Sequence, residues 1–183
     1  PWFVNGKFPL YLAPIAGISD KISRQLCKER GADVLVTEFV SSEGVFRRNA
    51  RTRGYLEFDP IERPLGVQLF GGNPEHMAEA ARQVVDWVQP DFIDLNFGCP
   101  VNKVVAKNGG SALLKDCPTL GKVAGAVVQT GCNDKAFIDN AMLESEGAGL
   151  FASEVGKPDL TAAVAEVASY KGAEAVFAPS SAS

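Results

Sequence analysis

Histidine is almost missing from this chain: His76 is the only one among 183 residues. That scarcity excludes a mechanism built on a histidine pair and argues against zinc ligation. The four cysteines, Cys27, Cys99, Cys117 and Cys132, contain no CxxC pair. No metal site is therefore expected, and the thiols read as free groups in a reducing cytosol. No apolar stretch is long enough to span a bilayer, which argues against a membrane protein. The opening Pro1-Trp-Phe-Val4 has no basic region ahead of an apolar core, so no secretory signal is read. A start on Pro1 rather than Met is expected of a piece of a longer parent. Charge of one sign is also scarce. The net charge is -4, and residues 1–117 balance, so the whole imbalance lies in residues 118–183. Neither part carries the basic excess of a typical nucleic-acid binder.

What remains is an ordinary globular composition, 46% hydrophobic and 22% charged, with length enough for one domain and a core. Short apolar runs at residues 10–13, 34–36, 65–70 and 92–95 predict strands. Ser19 or Asp20 is placed to cap a helix running to about Arg30, with Ile22, Leu26 and Cys27 as its apolar stripe. Residues 43–60 read as charged and irregular, with Arg47, Arg48, Arg51 and Arg53 crowded together in a solvated loop. Asn73 and Pro74 open a second helix, whose stripe is Met77, Ala80, Ala81, Val84, Val85 and Val88. A third helix carries Leu120, Val123, Ala124, Val127 and Val128 and stops at Gly131. His76, at a helix start, reads as exposed and inert.

This order is mainly βα alternation, which predicts a largely parallel sheet with right-handed crossovers. The strands are nearly all apolar, as when both faces are covered. Turn motifs lie at the C-terminal ends of the strands, at residues 14–17, 37–38, 68–72 and 96–100. Sites in parallel α/β folds are built at these C-terminal strand ends. Four in succession favour the N-terminal half of a (β/α)₈ TIM barrel. The most informative of them is Asn96-Phe-Gly-Cys-Pro100, where a turn forced by Gly98 and Pro100 sets one thiol beside an amide and ahead of Lys103.

These motifs together resemble the dihydrouridine synthases. The matching residues are Leu12-Ala-Pro-Ile-Ala-Gly17, Gly31-Ala-Asp33, Thr37-Glu38, Ser41-Ser42, Gln68-Leu-Phe-Gly71, Asp94-Leu-Asn-Phe-Gly-Cys-Pro100, Lys103-Val104 and Gly110-Ser-Ala-Leu-Leu114. The likeness covers roughly residues 8–130. It implies a barrel that holds FMN, reduction of the flavin by NADPH, and tRNA as the substrate. Hydride then passes to C6 of a uracil while an active-site cysteine protonates C5, giving 5,6-dihydrouridine. The cysteine here would be Cys99. Because an ordinary thiol has a pKa of about 8.5, it is mostly protonated near neutrality and able to donate. The resemblance implies that the backbone of Pro14, Ile15 and Ala16 lies along the flavin, and that Gln68, polar within an apolar strand, meets its pyrimidine edge. Asn96 and Lys103 are the expected substrate contacts, although Asn96 suits a turn bond almost as well and Lys103 suits flavin, phosphate or water.

The pattern departs after about Thr130. The family's fifth strand carries a Lys–Ile–Arg motif, and this chain has Gly131-Cys-Asn-Asp-Lys-Ala-Phe137 instead. Lys135 is not assigned the family lysine's role. The later histidine and glycine-rich phosphate loops have no counterpart. Residues 1–130 therefore read as a partial barrel, and residues 131–183 as a divergent tail that holds at most one further αβ unit. That unit is a helix begun by Pro158-Asp159 with a strand at residues 175–177. A full barrel needs ~250 residues, and a half barrel would expose apolar edges unless covered by self-association. Two other readings stand beside the synthase: another FMN-barrel oxidoreductase, such as a dihydroorotate dehydrogenase-like enzyme, and an inactive barrel fragment that binds RNA or a partner.

Overall fold

The structure, a computed structural model, describes residues 9–130 and the pair 136–137. Its elements are β1 (Tyr11–Leu12), α1 (Lys21–Glu29), β2 (Val34–Val36), β3 (Val40–Ser41), α2 (Ser42–Phe46), α3 (Ala50–Gly54), a 3-10 turn (Pro60–Glu62), β4 (Leu65–Phe70), α4 (Pro74–Val88), β5 (Phe92–Leu95), α5 (Asn102–Val105), a second 3-10 turn (Gly110–Lys115), α6 (Cys117–Val128) and β6 (Ala136–Phe137). The strands form one six-stranded sheet in the order β1-β2-β4-β5-β6, with β3 also paired to β4. Every pairing is parallel. The architecture is the parallel α/β arrangement of a partial TIM barrel.

Local chemistry starts the helices. The Asp20 carboxylate accepts from the Ser23 N–H at 2.8 Å, the Asn73 side chain from His76 N–H at 3.0 Å, and Asp116 from Thr119 N–H at 3.2 Å. Each satisfies a donor that a helix start leaves unpaired. Pro74 then occupies the first turn of α4, where a missing N–H costs nothing. Met77, Ala80, Ala81 and Val84 of α4 are fully buried, and α4 packs against α2 and α6. Full burial of Met77 and of Val84 contributes about 1.5–3 kcal/mol each relative to exposure. The five apolar positions expected of α6 are all buried as well. No helix among the described residues is long and apolar enough to cross a membrane.

The structure differs from the sequence reading in four places. Ile22 and Leu26 do not form the inner face of α1; they are 68% and 54% exposed. The inward residue is Arg24, whose Nε donates to Glu62 at 2.7 Å and whose two terminal nitrogens donate to the carbonyls of Ser19 and Glu57. Residues 43–60 are not irregular: α2 and α3 lie there, followed by the capped turn at Pro60–Glu62. They were hidden because five-residue helices show no full period of apolar residues. Val40–Ser41 adds a short strand beside β4. The sheet also continues past residue 130, where Ala136–Phe137 pairs with β5. The end of the third helix at Gly131, and the expected elements at residues 158–177, lie outside the described residues.

Candidate active site

β4 and β5 run side by side with Gln68 opposite Asp94. Both side chains are completely buried, so each must find polar partners inside the protein. A carboxylate only accepts, so the Gln68 amide turns its nitrogen toward Asp94, and Nε2 donates to Oδ2 at 2.6 Å. That leaves Gln68 Oε1 facing Asn96, whose Nδ2 donates to it at 2.9 Å. Asn96 Oδ1 then accepts from the backbone N–H groups of Gly98 at 3.1 Å and Cys99 at 2.9 Å. Donors and acceptors alternate along this chain, so the carboxylate on β5 fixes the direction of two amides and, through them, the loop that carries the thiol. Thr37, also fully buried, accepts from Gln68 N–H through its hydroxyl at 3.2 Å. The ends of β2, β4 and β5 are thereby joined.

The thiol loop is held from the other side too. The Cys99 carbonyl accepts from Ser111 N–H at 3.0 Å. Gly110 sits between them with φ +57, a left-handed conformation that favours glycine, and a Cβ there would stand 2.5 Å from the Cys99 carbonyl oxygen. Cys99 is thus pinned at amide and carbonyl, with 6% of its surface exposed. The backbone that carries the thiol is thereby fixed just past the C-terminal end of β5. Nearby, the Ser111 hydroxyl is buried with no hydrogen-bond partner among the described residues.

The structure joins Gln68, Asn96 and Cys99 in one network. Pro14, Ile15 and Ala16 follow β1 on the same rim, but no hydrogen bond links them to that network among the described residues. Ser19 ties this turn down: its hydroxyl accepts from Ile15 N–H at 2.8 Å and donates to Ile15 C=O at 3.0 Å. Pro14 is buried, whereas Ile15 and Ala16 are exposed. Ile15 and Ala16 offer open surface, whereas the Gln68 side chain, which keeps one N–H and one lone pair after meeting Asp94 and Asn96, is completely buried.

Lys103 lies in an adjoining cleft of about 430 Å³, lined also by Ser41, Ser42, Arg47, His76 and Lys107. His76 is not inert. Its Nδ1 meets Glu43 at 2.6 Å and its ring stacks on Phe46 with centroids 4.1 Å apart. Sequence reading missed Asp94 as the origin of the amide chain, Ser111 as the clamp on Cys99, and the His76–Glu43 pair. Two signals were available: Asp94 is an acid inside an apolar strand, and Ser111 lies within the matching motif at residues 110–114.

Comparison with known proteins decides the kinship of this arrangement. The family described as dihydrouridine synthase (Dus) matches residues 11–132. The chain belongs to the dihydrouridine synthase family. Its similar relatives include tRNA-dihydrouridine synthase B of Pseudomonas aeruginosa, 41% identical over 120 residues, which are 66% of this chain and 36% of that protein. A probable tRNA-dihydrouridine synthase of Aquifex aeolicus is 38% identical over 67% of this chain and 39% of its own length. The synthase B of Pseudomonas syringae pv. tomato is 43% identical over 65% of this chain and 35% of its own. The chain spans little more than a third of the length of these relatives. The matched third contains the whole Gln68–Asp94–Asn96–Cys99 network.

Proposed function

We propose that this chain carries the proton-donating part of an FMN- and NADPH-dependent tRNA-dihydrouridine synthase, which reduces uridine in tRNA to 5,6-dihydrouridine. The observation that carries this reading is the fixed loop that bears the thiol: the Cys99 backbone N–H is held through Asn96 to Gln68 and Asp94 on two adjacent parallel strands. When bound, FMN supplies the hydride for C6 of the uracil, and NADPH restores it. The chain's own residues do the rest. The turn of Pro14, Ile15 and Ala16 backs the cofactor's flat face, and the remaining Gln68 N–H and lone pair suit its pyrimidine edge. Asn96 keeps the thiol loop in register, Lys103 meets the RNA, and Cys99 Sγ gives its proton to C5. Residues 1–130 form the flavin-binding unit in this reading, with residues 131–183 as an added tail.

The purified chain, reconstituted with FMN, is expected to be yellow and to form dihydrouridine on an unmodified tRNA transcript. Cys99→Ala is expected to keep NADPH oxidation by the flavin and to lower dihydrouridine formation about 10²- to 10⁴-fold, the usual worth of a positioned general acid. Equal product from the variant removes the assignment, and a colourless protein removes the activity from this chain.

A second reading has its own observation. Leu10, Ile15, Ile18, Ile22 and Leu26 are all more than half exposed, and all belong to the first βα unit, at the edge of the described sheet. A partial barrel that closes this edge against another copy would bind RNA or a partner without chemistry. Sedimentation separates the two, since this second reading requires a dimer without flavin.

A further inference from the structure

The cleft beside the thiol carries an unbalanced positive charge. Among the described residues its only lining carboxylate is Glu43, and both oxygens are engaged, Oε1 by Arg47 at 2.6 Å and Oε2 by His76 at 2.6 Å. Hydrogen bonds from the Arg47 guanidinium first, and from the His76 ring second, hold the Glu43 carboxyl below the usual carboxylate range. It is therefore ionised at neutral pH and neutralises Arg47. Lys103 and Lys107 are different. They lie four residues apart on α5 and the turn after it, both line the cleft, and both are exposed. Neither has a carboxylate partner among the described residues.

The cleft is also built by close backbone approach. A Cβ on Gly72 would collide with the carbonyl of Asn108, and one on Gly71 with the Ser42 hydroxyl. The turn after β4, the turn after α5 and the start of α2 thus meet at a distance that only glycine permits. Ser41 and Ser42 add hydroxyl donors to the same wall. The cleft is one side chain away from the thiol. A Cβ on Gly110 would touch Cys99 Cβ and Val104 Cγ1 equally, each at 3.0 Å, and Val104 lines the cleft. Two unpaired ammonium groups, hydroxyl donors and a pocket of this size suit a phosphate group with its sugar.

We propose that this cleft is a backbone-phosphate subsite, in which Lys103 and Lys107 clamp one phosphodiester of the RNA strand beside the nucleotide whose base meets Cys99. The inference rests on the RNA-modifying reading above and adds where the strand is held. A pyridine nucleotide also carries phosphates, so the test separates the two sources.

The full chain is titrated with an unmodified, fluorescently labelled tRNA transcript over a series of KCl concentrations, and separately with NADPH. The Lys103→Ala/Lys107→Ala variant is expected to bind the transcript about tenfold more weakly at low salt. The slope of log affinity against log salt should fall by about 0.7–0.9, the value for one lost phosphate contact. NADPH affinity should not change. Lys103→Arg/Lys107→Arg keeps the charges and should keep the slope, which separates loss of a contact from loss of fold. An unchanged slope in the alanine variant overturns the subsite. So does a loss of NADPH affinity with tRNA binding intact, or no transcript binding by the unaltered chain. Transcript binding with the expected slope change but no dihydrouridine would remove the catalytic reading and leave the subsite standing.

Discussion

The first βα unit and the central ones are made from the same pattern and solve different problems. In the centre, α4 lies between α2 and α6, and its apolar stripe of Met77, Ala80, Ala81 and Val84 vanishes from solvent. At the edge, α1 keeps Ile22 and Leu26 outside and sends a guanidinium inward, so that Arg24 is 2% exposed and Glu62 is 0% exposed. A helix flanked on both sides is held by area removed from water. A helix with described neighbours on one side is held by a buried ion pair with three further hydrogen bonds around it, two from Arg24 and one into Glu62. The apolar periodicity of α1 is real, but it marks the uncovered side.

Breaking the ion pair should give the largest effect on stability. Arg24→Ala leaves Glu62 buried without its partner and is expected to cost about 3–5 kcal/mol, read by urea denaturation. Replacing both, as Arg24→Met with Glu62→Leu, should recover much of that loss, because the penalty lies in the uncompensated charge. If the double variant is as weak as the single, the hydrogen bonds to Ser19, Glu57 and Asp59 matter more than the charge. The central region should respond to volume instead. Gly66 sits opposite Phe92 in the β4–β5 ladder, and a Cβ there would run into the Phe92 ring. Gly66→Ala should cost about 1–3 kcal/mol through overpacking, and a neutral result would mean the ring can move aside.

Acid should weaken both regions through their helix caps. Bonds from Ser23, chiefly its backbone N–H, hold the Asp20 carboxyl below its ordinary range, and bonds from Thr119 do the same for Asp116. A depressed folded pKa contributes stability that is present above the unfolded value. It is lost as pH falls through the folded value, so the decline should begin below about pH 4. Thermal midpoints across this range, compared with Asp20→Asn and Asp116→Asn, are expected to show a shallower acid slope in the variants. An unchanged slope would place the acid sensitivity elsewhere.

What the sequence disclosed follows the same division. Strands buried on both faces read as unbroken apolar runs, so β2, β4 and β5 were legible. Caps are local chemistry, so Asp20 and Asn73 were legible too. Gln68 drew notice because it is polar in such a run. Its orientation was hidden, because it depends on the register that brings Asp94 and Asn96 alongside. Cys99 stood out through its turn, whereas the hold of Ser111 N–H on its carbonyl was hidden, because it depends on the fold of the chain between them. His76 read as exposed because its partner Glu43 lies 33 residues away in the chain. The direction in which α1 faces was illegible for the same reason: Glu62 is 38 residues from Arg24, and periodicity gives a stripe without saying which stripe is inside.

The smallest expected effect is the most discriminating. If the outer stripe of α1 faces water in solution, Ile22→Ser and Leu26→Ser remove no packing, and each should shift stability by no more than about 0.5 kcal/mol. A buried residue of similar size, such as Val84, should cost several times more when cut to alanine. A large loss at Ile22 or Leu26 would mean that the stripe is covered after all. Concentration then says by what. A thermal midpoint that rises with protein concentration in the unaltered chain, and stops doing so in the serine variants, requires a second copy on this face. A large loss that is independent of concentration requires a cover from within the chain. In either case the edge would no longer be the exception, and both regions would be held by the same apolar burial.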